Sequence, residues 1–63
     1  MDRVEHYFSD GTVGVAYYLG SYADNRIYAV ALVSRSGYTH IVRNYIAANA
    51  AEAMARYIKF RNE

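Results

Sequence analysis

The stretch from Val13 to Val33, VGVAYYLGSYADNRIYAVALV, constrains the fold more than any other part of the chain. It reads as two β-strands joined by a polar turn at Ala23-Asp24-Asn25, and it is apolar or aromatic on both faces. The second of these strands, Arg26 to Ser34, carries no charge after Arg26, the pattern of a central strand buried on both sides. Such a pair needs cover, and a chain of 63 residues has little to give. A domain of that size buries only about 60% of the surface its unfolded form exposes. Cysteine is absent, so disulfides and thiolate metal sites are excluded, and self-association is the stabilising device left open.

The flanking segments complete a predicted meander. Residues 3–9, RVEHYFS, alternate as a strand, and Asp10-Gly11 after them is a strong hairpin signal. A two-residue type I′ loop there pairs Phe8 with Val13, His6 with Val15 and Val4 with Tyr17. That register places Val4, Phe8, Val13, Val15, Tyr17 and Leu19 on the core face, and Tyr7, Gly14, Ala16, Tyr18 and Gly20 on the other. In the third strand, Asp24-Asn25 as a two-residue loop puts Tyr28, Val30 and Leu32 on the core face, whereas a three-residue loop puts Ala29 and Ala31 there. Side-chain volume favours the first, and a one-residue slip inverts every side chain. Gly14 and Gly20, inside the second strand, mark a bulge or the close approach of another group.

Arg35-Ser36-Gly37 predicts a three-residue hairpin loop with Gly37 in the left-handed region. The fourth strand, Tyr38 to Tyr45, alternates less cleanly and suits a sheet edge, where Arg43 discourages unwanted pairing. Asn49 is placed to cap a helix, with Glu52 three residues on. The helix carries an apolar stripe of Ala47, Ala50, Ala51, Met54, Tyr57 and Ile58, with Phe60 off it. The expected fold is therefore α+β: a four-stranded antiparallel meander with one C-terminal helix packed on one face, ββββα, in a single domain over residues 1–63.

No catalytic, metal or nucleotide motif is present. His6 and His40 are too few for a structural zinc site, which takes four ligands. Ser9, His6 and Asp10 could be written as a triad, but catalysis needs a pocket that so short a chain rarely provides. The four glycines form neither GxGxxG nor a P-loop. The expectation is a non-enzymatic protein without cofactor or metal. No apolar run approaches the length of a membrane span, and MDRVEHYF contains no apolar h-region, so a cytoplasmic protein is expected.

The eight tyrosines are the most informative set. Tyr17, Tyr57 and Tyr28 are assigned to the core. Tyr7, Tyr18 and Tyr22 fall on the face away from it, and with Phe60 they form the predicted protein interface, since tyrosine supplies rigid contact area and a polar tip. Substitution of Tyr18 or Tyr22 should then remove binding without unfolding the chain. Charge is uneven as well. Asp2, Glu5, Asp10 and Asp24 stand against Arg3 in residues 1–25, whereas Arg26, Arg35, Arg43, Arg56, Lys59 and Arg61 stand against Glu52 in residues 26–62. An alternative reading is therefore a small single-stranded nucleic-acid-binding domain using sheet tyrosines with Arg26, Arg35 and Arg43. The absence of an RNP-type motif and a net charge of only +1 weigh against it.

The layout, a short cysteine-free meander plus helix, is similar in size and style to small phage-encoded inhibitors such as anti-CRISPR proteins. The segment from Gly37 through AANAAEA also resembles the close of small α+β domains such as HicB-like antitoxins. No residue motif carries either likeness, so neither assigns a site. What the first implies is a small viral or mobile-element inhibitor or accessory protein that occludes a surface of a larger protein target, and the uncovered tyrosine face makes a homodimer the expected form.

Overall fold

The computed structural model describes residues 2–62; Met1 and Glu63 lie outside the described residues. Strands β1 (Arg3–Tyr7), β2 (Val13–Tyr22), β3 (Asn25–Val33) and β4 (Thr39–Ile46) pair antiparallel in chain order. Helix α1 (Ala50–Arg61) lies across one face of this sheet, mainly over β1, β2 and β3. This is the predicted ββββα architecture. The apolar run in β3 ends up central, and residues 28–31 are buried consecutively. β4 is an edge strand, as its weak alternation and Arg43 suggested.

The first hairpin differs from the sequence reading by one residue, with a large consequence. Tyr7 pairs with Val13, His6 with Gly14 and Val4 with Ala16. Asp10-Gly11 does not form a type I′ turn, because only Gly11 takes positive φ (90°). Asp10 instead accepts from the Thr12 backbone N–H at 2.9 Å and the Thr12 hydroxyl at 2.6 Å. That side-chain bridge holds Asp10 in ordinary backbone geometry, as Asx turns do. The Gly11 N–H donates to the Phe8 carbonyl at 3.1 Å, and the Phe8 N–H to the Thr12 carbonyl at 2.9 Å. The loop therefore has three residues, Ser9-Asp10-Gly11, with Gly11 as the left-handed member. One added residue inverts the faces of β2. Gly14, Ala16 and Tyr18 lie on the helix side, and Val13, Val15 and Tyr17 on the other.

The other two turns follow the reading more closely. Arg35-Ser36-Gly37 is a three-residue loop with Gly37 at φ 90°, closed by Ser34 N–H to Tyr38 O at 2.8 Å. The β2–β3 turn falls on Ala23-Asp24, one residue before the expected Asp24-Asn25, with both at positive φ (49° and 66°), the signature of type I′. Tyr28 and Val30 consequently point under the helix, where they are the two largest fully buried side chains. Leu32 packs partly buried beside them, so the volume argument chose the right face of β3.

Beneath α1, the core joins Ala16, Tyr28, Val30 and Tyr45 of the sheet to Ala50, Ala53, Met54 and Tyr57 of the helix. Ala53 takes the place expected of Ala51, which is exposed. Small residues at 50 and 53 let the helix sit close to the sheet. Gly14 is part of that fit: a Cβ there would lie 2.9 Å from the Phe8 ring and 3.2 Å from the Met54 methyl. Gly20 answers to the other expectation, since the ladder slips between Tyr18 and Gly20 and leaves Leu19 as the extra residue of a bulge. A second slip in β4 leaves Val42 unpaired, and Val42 packs against the core.

Asn49 caps α1 by accepting from the Glu52 N–H at 2.8 Å. Glu52 reaches back to the Ala48 N–H at 3.4 Å, one residue before the cap. At the far end, Arg61 lies 3.9 Å above the Phe8 ring and pairs with Asp10 at 2.7 Å, pinning the helix to the β1–β2 loop.

Candidate interaction surfaces

The uncovered face of the sheet is built from the residues that alternate with the core. β2 contributes Val13, Val15 and Tyr17 and, past the bulge at Leu19, Gly20; β3 contributes Ile27, Ala29, Ala31 and Val33. From β4 come Ile41, opposite Ala31, and Ile46, opposite Ile27. None of Val15, Ala29 or Ala31 belongs to the cluster beneath the helix, yet all three are buried by their neighbours on this face. Around them the surface is open and largely apolar, with Asn44 opposite Ala29 and Thr39 opposite Val33 as its polar members: Leu19 is 50%, Ile41 53% and Ile46 58% exposed. Single exposed aliphatics are ordinary, but contiguous apolar patches mark interaction sites.

Relief follows from residue size. Val15, Ala31 and Val33 line an open hollow of about 410 Å³ together with Tyr17 and Ile41, and Arg3, Thr39 and His40 add polar groups to it. Along the β1 edge runs a polar rim. Arg3 and Glu5 pair there at 2.7 Å, and Tyr7, opposite Val13, donates to Glu5 at 3.4 Å.

The four aromatics expected to form the interface do not share one face. Tyr7 stands on the open face at its β1 edge, 74% exposed. Tyr18 is on the helix side beyond the helix, where the Arg26 guanidinium lies 4.8 Å from its ring. Tyr22 ends β2 beside the turn, opposite Asn25 and so, past the bulge, on the same side of the ladder as Ile27, and is 76% exposed. Phe60 is on α1 beneath the Arg43 guanidinium, 4.1 Å away. Leu19, Ile41 and Ile46, which complete the apolar surface, were not singled out as interface residues. The Asp10–Thr12 bridge sets the parity of β2, whereas the faces of Ile41 and Ile46 follow from the β3–β4 register.

The three arginines of the nucleic-acid reading are likewise dispersed. Arg26 and Arg35 stand at opposite ends of β3, and Arg43 is at the β4 edge on the helix side. None lines the open face.

Arg26 belongs to a polar cluster instead. Its Nε donates to the Tyr28 hydroxyl at 3.0 Å, and Asp2 accepts from Tyr28, from Arg26 at 3.4 Å and from the Ala50 N–H at 2.9 Å. The Tyr28 hydroxyl, then the Ala50 N–H and the Arg26 charge, hold the Asp2 carboxyl below its ordinary range. Burial and the Asp2 carboxylate push the Tyr28 hydroxyl up. These contacts join the start of the chain to β3 and to the helix N-terminus, where a carboxylate also meets the positive end of the helix dipole.

His6 and His40 lie on opposite edge strands. Both Asp10 oxygens are engaged, by Thr12 and by Arg61, so they do not face His6. Among the described residues no three His, Cys, Asp or Glu side chains gather as metal ligands, and no helix is long and apolar enough to cross a membrane. No protein family, curated protein or solved structure matches the chain.

Proposed function

We propose that this protein is a non-enzymatic protein–protein interaction module of the cytoplasm, and that it works as a homodimer joined through the open sheet face. The observation that carries this reading is the apolar surface of β2, β3 and β4 opposite the helix, with Leu19, Ile41 and Ile46 each half exposed or more. A second copy suits it because the same face offers both a hollow, over Val15 and Ala31, and projections, Leu19 and Ile41. Isologous packing about a two-fold axis needs a surface that complements itself in this way. Two such sheets stack about 10 Å apart with their side chains interleaved.

A homodimer of this kind leaves both helices and their charged flanks outward, available to a larger target. The small size and absence of a catalytic cluster favour an inhibitor or accessory protein that occludes a surface. Sedimentation velocity across a concentration series tests the dimer. A concentration-dependent shift from one chain to two is expected, and a single-chain species at high micromolar concentration would overturn the reading.

A further inference from the structure

A second surface lies on the helix side of β4, apart from the open face. Arg43, Arg56 and Lys59 are all exposed, and among the described residues none of them has a carboxylate partner. In this they differ from Arg3, Arg26 and Arg61, which pair with Glu5, Asp2 and Asp10. Glu52, one turn before Arg56 on the helix, is directed to the Ala48 N–H.

The two guanidiniums are also fixed in place. Arg43 rests on Phe60, 4.1 Å from its centroid, and beside Tyr45 at 5.6 Å. Arg56 lies 4.9 Å from the same Tyr45 ring and donates to the Ile46 carbonyl at 2.6 Å. Tyr45 is itself buried, so one rigid ring positions both cations. Lys59 follows Arg56 by three positions, on the neighbouring turn of the same helix side. A guanidinium carries five N–H donors. Arg56 spends one on Ile46, and Arg43 spends none on a side chain or backbone carbonyl among the described residues.

We propose that Arg43, Arg56 and Lys59 form a docking site for an acidic protein segment, a short run of Asp or Glu side chains on a partner. Planar guanidiniums held against aromatic rings present their donor edges to carboxylates with little ordering left to do. The aromatic groups here argue for carboxylates over nucleobases. Phe60, 48% exposed, already has a guanidinium over its ring and Tyr45 is buried, so the patch lacks the row of open rings on which successive bases of single-stranded nucleic acid stack.

Fluorescence anisotropy with a labelled hexaglutamate peptide at low ionic strength tests this, beside an oligothymidylate of equal charge. The peptide should bind, and added salt should release it. Arg43→Gln and Arg56→Gln should each weaken binding about tenfold, and Lys59→Gln less, while Arg3→Gln leaves it unchanged. Circular dichroism checks that each variant is folded, and the exposed Lys59 gives a variant that does not touch the core. Leu19→Asp, aimed at the open face, should leave peptide binding intact whether or not the protein dimerises. Failure of the peptide to bind, or equal binding by the Arg43/Arg56 double variant, would overturn the site. Tighter binding of the oligonucleotide would overturn the acidic-protein assignment.

Discussion

Two residues hold backbone or space that their side chains make costly. Ala23 opens a type I′ turn at φ 49°, where Asn or Gly is favoured because a Cβ crowds the backbone. Ala23→Gly should therefore stabilise the protein by about 1 kcal/mol despite the entropy glycine adds to the unfolded chain. Thermal unfolding would show it as a melting temperature raised by roughly 4–8 °C. A lower melting temperature would mean the turn gains more from alanine than the left-handed geometry costs. Gly14 presents the opposite case. Its missing Cβ leaves room for the Phe8 ring and the Met54 methyl, at 2.9 and 3.2 Å from where a Cβ would stand. Gly14→Ala should lower stability by about 1–3 kcal/mol through overpacking, seen as a lower urea midpoint with an unchanged slope. An unchanged midpoint would show that Met54, the flexible neighbour, simply moves aside.

At the scale of elements, Asp2 is the tie that joins β3 to the helix start. Its carboxyl is held below the ordinary range, chiefly by the Tyr28 hydroxyl and then the Ala50 N–H. Asp10 is lowered too, first by the Thr12 hydroxyl and backbone and then by Arg61. A carboxyl whose folded pKa is depressed stabilises the fold above its unfolded pKa of about 3.9. That contribution is lost as pH falls through the folded value. Melting temperature should accordingly fall from about pH 5 downward, and Asp2→Asn should make the fall shallower while lowering the neutral-pH value. Parallel pH profiles for the two proteins would exclude Asp2 from acid unfolding. The elements themselves were legible in the chain: β3 from its uninterrupted apolar run, the third turn from Gly37, the helix start from Asn49. The face of β2 was not, because it depends on whether Asp10 enters the left-handed region or bridges to Thr12. Both choices fit Asp-Gly, and only the Thr12 hydroxyl two residues on decides between them. The same ambiguity carried Tyr18 into the expected interface.

For the whole molecule, the question is whether one uncovered face is large enough to hold two copies together. Four strands about 4.8 Å apart and roughly eight residues long, at about 3.3 Å each, span on the order of 500 Å² before side-chain relief is counted. A standard interface takes about 800 Å² from each partner. A dimer must then use nearly the whole face, including the projecting Leu19, Ile41 and Ile46, and its affinity should be modest. Since Val15, Ala29 and Ala31 are buried already, the gain on association comes from those half-exposed side chains at the margin. Leu19→Asp and Ile41→Asp should each convert the protein to a single-chain species in sedimentation velocity, because a buried unpaired carboxylate costs several kcal/mol. Circular dichroism at neutral pH should be unchanged, since both positions are solvent-exposed within one chain. Tyr18→Ala, on the helix side against Arg26, should leave association as it was. The reverse result, a dimer that survives Leu19→Asp and Ile41→Asp but is lost with Tyr18→Ala, would move the interface from the open face to the Tyr18–Arg26 end of the sheet.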